Sequence, residues 1–170
     1  HVHHILQSIK YKKNFFVEKP FCLSLSELNR ICQSLKKNKK IIFSSNLILR
    51  NKPIFLQLNK KIKKNKMGKI YYCEGDYNYG RLDKIIKGWR GTIPFYSVTL
   101  GGAIHLIDLI IWLTGKKVIS VISEGNKIST QNTKFKHLDL VTSLLKFEGG
   151  MVAKVTSNFG SVTPHHHILN

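Results

Sequence analysis

Residues 100–115, LGGAIHLIDLIIWLTG, constrain the rest of this chain more than any other stretch. Positions three, four and seven apart share one face of a helix, so His105, Asp108 and Trp112 form a single narrow stripe. Ile104, Leu106, Ile107, Ile110, Ile111 and Leu113 cover the remaining faces, which makes the helix apolar nearly all round and therefore buried. Burial leaves no cheap place for an imidazole and a carboxylate unless each has a specific partner. Two readings follow: a core histidine hydrogen-bonded to its own i+3 aspartate, or a stripe that faces a substrate cleft. The run falls short of the ~20 apolar residues that span a bilayer and carries His and Asp, so the chain reads as soluble.

Ahead of this helix the hydrophobic period alternates between helix and strand. Ile5, Leu6 and Ile9 keep helical spacing. Asn14-Phe15-Phe16-Val17 reads as a short, fully buried strand that stops before Pro20, which has no N–H to give a ladder. Ser24-Leu25-Ser26-Glu27 is a capping box, with Ser24 as N-cap and Glu27 reaching back. The helix it opens carries Leu25, Leu28, Ile31 or Cys32, and Leu35 on one face, and Ile41-Ile42-Phe43 is a second continuous apolar strand. Strand, helix and strand within about 30 residues make a βαβ unit, with parallel strands and a right-handed crossover. In open α/β sheets ligands bind beyond the carboxyl ends of the strands, where Glu18-Lys19-Pro20 and Ser44-Ser45-Asn46 stand.

Pro53 opens a further helix with Ile54, Phe55, Leu58 and Ile62 as its stripe and Met67-Gly68 at its close. Residues 70–79 are aromatic-rich and strand-like, and 80–94 read as a loop. Residues 117–124, 138–147 and 151–158 are strand candidates, the last two joined by a hairpin turn at Glu148-Gly149-Gly150. Thr163-Pro164-His165-His166-His167-Ile168 reads as the start of another strand; a partial tag or a metal tract are the alternatives, the second without an evident fourth ligand. The fold class is therefore α/β (α+β): a βαβ remnant over 1–45, then a mostly antiparallel sheet with the central helix over 46–170.

The formal charge of +19 raises nucleic acid as a partner. Yet the lysines gather in runs at 36–40 and 60–66, at helix ends, and only four arginines occur in the chain. Arginine makes the bidentate phosphate and guanine contacts, so its scarcity argues against a nucleic-acid interface, and no membrane partner is expected. Cys22, Cys32 and Cys73 form no C-x-x-C pair, which speaks against a disulfide framework or a metal site and for a reducing, cytoplasmic setting.

Three segments taken together resemble one family: Val17-Glu18-Lys19-Pro20 at a strand end, Asn46 and Arg50 in SSNLILR, and Gly88-Trp89-Arg90 leading into GGAIHLIDLIIWLTG. This set resembles the Gfo/Idh/MocA family of NAD(P)-dependent oxidoreductases, which act mainly on sugars, polyols and their nucleotide-linked derivatives. The resemblance runs over essentially the whole chain. It implies that 1–45 is the end of a Rossmann-type parallel sheet that holds NAD or NADP. It implies equally that 46–170 is a substrate-binding domain whose open sheet serves homo-oligomerisation. No G-x-G-x-x-G occurs, so the chain reads as a fragment that alone binds a dinucleotide weakly or not at all.

By the same resemblance, Glu18, Lys19 and Pro20 contact the cofactor, Lys19 also approaches the substrate, and His105 is the acid/base on the substrate hydroxyl. Histidine titrates near neutrality and suits that task, and a lysine stabilises a developing alkoxide. Asn46, Arg50, Trp89, Arg90 and Asp108 match substrate-lining segments. Each has a plainer alternative: Asp108 orients His105, Arg50 makes a surface ion pair, and Trp89-Arg90 anchors a loop. Tyr77 and Tyr79 are further candidates. Many members carry an aspartate four residues before the motif histidine, where this chain has Gly101. A noncatalytic relative and a basic nucleic-acid-binding module are the competing functions.

Overall fold

The computed structural model describes residues 1–162 and 164–170; Thr163, the first residue of the histidine tract, lies outside them. The chain divides into two compact units, His1–Leu47 and Ile48–Asn170.

The first unit runs α1 (Val2–Lys10), β1 (Phe15–Val17), α2 (Leu25–Lys36) and β2 (Phe43–Ser45). The two strands pair in parallel, Phe15 opposite Phe43 and Val17 opposite Ser45, as a βαβ unit requires. Ser24 caps α2 by accepting the N–H of Glu27 at 3.2 Å. The Glu27 carboxylate reaches one residue further back than a capping box, accepting the N–H of Leu23 at 2.7 Å. Ile5, Ile9 and Ile31 form the buried centre, with Val17, Leu35 and Ile41 against it. The strands are not fully buried: Phe16 and Ile42 point to solvent, 67% and 72% exposed. Alternation puts Phe16 outside between half-buried Phe15 and Val17, whereas Ile42, just ahead of β2, and the first two residues of β2 are all exposed. Leu25 likewise stays outside.

The second unit opens with a 3₁₀ turn (Ile48–Asn51) and α3 (Pro53–Lys63), followed by β3 (Tyr72–Asn78) and α4 (Leu82–Ile86). A 3₁₀ turn (Trp89–Gly91) and a π-helical turn (Thr99–Ala103) then lead into α5 (Ile104–Thr114). The strands β4 (Val118–Asn126), β5 (Leu140–Phe147), β6 (Val152–Asn158) and β7 (His166–Leu169) complete it. Among the described residues these form one five-stranded sheet in the order β4-β5-β6-β3-β7. Only the β3–β6 pairing is parallel, so the sheet is mostly antiparallel as the alternating pattern implied.

Period-two alternation gives the sheet two faces. Gly75 and Tyr77 of β3, Leu145 and Phe147 of β5, and Ala153, Val155 and Ser157 of β6 are buried on the inner one. The helix α5 packs there through Leu106, Leu109 and Ile110, all fully buried. Gly75 permits the close approach, since a β-carbon on it would stand 3.3 Å from the Leu106 β-carbon. Gly115 closes α5 in the left-handed conformation, φ 65°.

Two further expectations change. The 80–94 stretch is not all loop, because Leu82 and Ile85 share a helical face and Ile85 buries completely in α4. The stripe of α3 is Phe55, Leu58 and Ile62 without Ile54, and the helix ends at Lys63, before Met67.

Candidate active site

In the first unit the chain leaves β1 as Glu18-Lys19-Pro20, and the Lys19–Pro20 peptide is cis. Asn46, just past β2, ties the two strand ends together. Its backbone N–H donates to the Val17 carbonyl at 3.0 Å, and its side-chain amide donates to Glu18 Oε1 at 2.7 Å. Lys19 is half-buried. Glu18, Lys19, Pro20 and Asn46 thus cluster at the carboxyl ends of parallel strands, the ligand-binding edge of open α/β sheets.

In the second unit the centre is α5. His105 is buried at 6% exposure, in the first turn of that helix. One turn on, both Asp108 oxygens accept from Arg50: Nε to Oδ2 at 2.7 Å, and Nη2 to Oδ1 as an ion pair. The bidentate fork fixes Asp108 to the turn that opens this unit. The hydrogen bond to Asp108 pushes the Arg50 guanidinium above its ordinary pKa, with burial opposing. Arg50→Ala would leave a carboxylate that is only 13% exposed without its partner. Loss of a charged hydrogen bond of this kind costs about 1–3 kcal/mol, and solvent at the half-exposed Arg50 puts the value toward the lower end. Urea denaturation checks this, and an unchanged midpoint would count against a structural clamp.

The segment before α5 builds an aromatic wall. Trp89 is 60% exposed, and the Arg90 guanidinium lies 4.6 Å over its ring. The same guanidinium is 5.9 Å from the Tyr79 ring and 6.0 Å from the Tyr96 ring. Burial pushes the Tyr96 phenol pKa up, against the pull of Arg90, which hydrogen-bonds to it. At Gly101, where the resemblance implied an aspartate, a β-carbon would run into the Tyr96 hydroxyl. Here the phenol fills the volume that side chain would take.

The histidine tract joins this centre from the sheet edge. The pairing of β7 with β3 sets His167 opposite Tyr77 and His166 opposite Asn78. Alternation therefore turns His167 inward and His166 outward, where Asn78 meets it at 3.3 Å. The His167 ring lies 5.8 Å from the His105 ring and 4.8 Å from Tyr77. His165 lies 5.3 Å from His167 and 5.1 Å from Tyr77. Among the described residues no group of three His, Cys, Asp or Glu is arranged to hold a metal ion.

Residues 1–46 match the oxidoreductase family's NAD-binding Rossmann-fold model, and 55–169 match the GFO/IDH/MocA C-terminal domain. The chain belongs to the Gfo/Idh/MocA family. Among curated proteins it is similar to Oxidoreductase P35 of Formosa agariphila, 27% identical over 95% of this chain and 50% of that protein. Among solved structures it resembles the scyllo-inositol dehydrogenase of Lactobacillus casei with bound NAD(H) and scyllo-inositol. There the TM-score is 0.86 and the identity 19%, over 99% of this chain and 50% of that one. The myo-inositol 2-dehydrogenase of Lactobacillus plantarum gives 0.83 and 21%, over 93% and 47%. At such identities the structural likeness establishes the fold. The chain spans about half the length of the relatives it matches.

Within this Gfo/Idh/MocA chain, sequence reasoning named His105, Asp108, Arg50, Trp89 and Arg90, and all five lie in the second unit. Lys19, Glu18, Pro20 and Asn46 lie in the first. The placing of Tyr96 against Gly101, of His167 beside His105 and of His165 beside His167 was missed. Strand alternation along the tract carried the signal for His167, since a strand over His166–Leu169 must put His166 and His167 on opposite faces. Among the described residues no helix is long and apolar enough to cross a membrane.

Proposed function

We propose that this chain belongs to an NAD(P)-dependent dehydrogenase that oxidises a secondary alcohol of a sugar, polyol or nucleotide-linked sugar. The observation that carries the reading is His105. A titratable side chain with 6% exposure sits on a mostly apolar helix, one turn from a carboxylate clamped by arginine. A structural role does not require that combination, whereas removal of a hydroxyl proton does.

Glu18, Lys19 and Pro20 suit the nicotinamide end of the cofactor, because they stand at the carboxyl ends of parallel strands with Asn46 joining them. When bound, the nicotinamide supplies the hydride acceptor. Lys19 stabilises the developing alkoxide, and His105 takes the hydroxyl proton. Trp89 and Arg90 offer a flat apolar face and a guanidinium to a polyol ring, while Arg50 and Asp108 border it with hydrogen-bonding groups. The outer face of the five-stranded sheet, with Leu144 and its cross-strand partner Ile122 exposed, is the surface for a second copy.

The test is cofactor reduction. The full-length protein, given NAD or NADP and a panel of inositols, hexoses and sugar nucleotides, should raise nicotinamide absorbance with at least one pair. No reduction with any pair would overturn the reading. The 170-residue chain alone should not bind NADH at micromolar concentration, since it contains no glycine-rich phosphate loop.

A further inference from the structure

Oxidation of an alcohol splits its H–C–O–H unit: the C–H hydrogen leaves with its electron pair for the nicotinamide, and the O–H proton goes to the base. If His105 is that base, each turnover leaves a proton on an imidazole with 6% exposure. The proton must reach water before the next cycle, and a buried base has no direct route.

The histidine tract supplies one. The His167 ring stands edge-on to His105, 5.8 Å between centres and 82° between planes. His165 follows at 5.3 Å from His167. Both are half-buried, and β7, which carries His167, is an outer strand of the sheet. The row of imidazoles therefore runs from the buried helix to the edge. Neutral imidazole accepts a proton at one ring nitrogen and donates from the other, and its ordinary pKa lies near neutrality. At these centre-to-centre spacings one bridging water is enough to link neighbouring rings.

The surrounding groups do not compete for the proton. Burial, followed by the neighbouring Tyr79 and Tyr96, pushes the Tyr77 phenol pKa up to about 12, so it stays neutral while packing against both rings. Tyr79 packs 5.4 Å from His165. Asp108, one turn along α5, is held by Arg50, and Arg90 sits over the aromatic wall. His166 faces the other side of the sheet with Asn78.

We propose that His167 and His165 form a proton relay between His105 and solvent. This rests on the dehydrogenase reading, and the experiment separates the two. In the full-length protein with NAD or NADP and a polyol that it turns over, His167→Gln keeps a polar side chain but carries no proton. Turnover should fall on the order of tenfold, below the usual cost of losing the general base itself. Michaelis constants should change less than about twofold, and added imidazole should restore the lost turnover, which a merely structural defect would not allow. If His167→Gln matches the parent at every buffer concentration while His105→Ala is dead, the relay is wrong and the dehydrogenase stands. If His105→Ala keeps its turnover, the parent reading falls. A second measurement needs no substrate: imidazole NMR titration of the 170-residue chain. His167→Gln should move the His105 midpoint, because neighbouring imidazoles titrate as a coupled pair. A folded variant whose His105 midpoint is unmoved would overturn the relay.

Discussion

Replacing His105 with alanine should lower turnover by about a hundredfold or more, the scale on which a general base contributes. A hundredfold corresponds to about 2.7 kcal/mol of lost transition-state stabilisation. The expectation follows from the position of the residue rather than from its type alone. Leu106, Leu109 and Ile110 on the same helix are fully buried against the sheet, so the backbone that carries the imidazole is held in place. No other imidazole stands in α5 to take its place. The defect belongs in turnover, with substrate affinity affected less, because the proton moves only as the reaction proceeds. Steady-state rates with the preferred polyol provide the check, beside a denaturation curve showing the variant folded. Turnover within threefold of the parent would remove His105 from the chemistry.

The second large effect is on stability. Gly102→Ala puts a methyl group 2.3 Å from Cδ1 and 2.4 Å from Cε1 of Tyr77. That ring cannot simply swing away, since Phe159 lies 5.6 Å and His167 4.8 Å from it. Either the π-helical turn or the tyrosine must shift. Overpacking of a filled core costs about 1–3 kcal/mol, and this contact belongs at the upper end. Each kcal/mol lowers the melting temperature of a chain this size by about 2–4 °C, so a fall near 10 °C is expected. Pairing the change with Tyr77→Leu should recover part of it by clearing the space. An unshifted melting curve for the single variant would mean that the turn and the strand are looser than their packing indicates.

The central helix and the mostly antiparallel sheet were legible because their signals are local. Apolar residues along 104–113 mark the helix, although only its face with Leu106, Leu109, Ile110 and Leu113 is buried and Ile111 stays exposed, and alternation marks β5 and β6. The cap at Ser24 was readable for the same reason. Contacts between residues distant in sequence were not. Arg50 and Asp108 are 58 residues apart, and nothing in either segment announces that the two side chains engage each other. Tyr96 against Gly101 depends on the path of the backbone through a π-helical turn, which has no sequence signature of its own. The burial of β1 was overstated because an unbroken apolar run does not reveal that only one side of its sheet is covered.

The β7–β3 pairing has a consequence for how the protein can vary. His166 and His167 differ in surroundings only through the parity of their positions along a strand. A one-residue slip of β7 along β3 would invert that parity, turning His166 to the inner face and expelling its neighbour. The register of β7 on β3, rather than the length of the segment that precedes it, is therefore what keeps an imidazole beside the central helix.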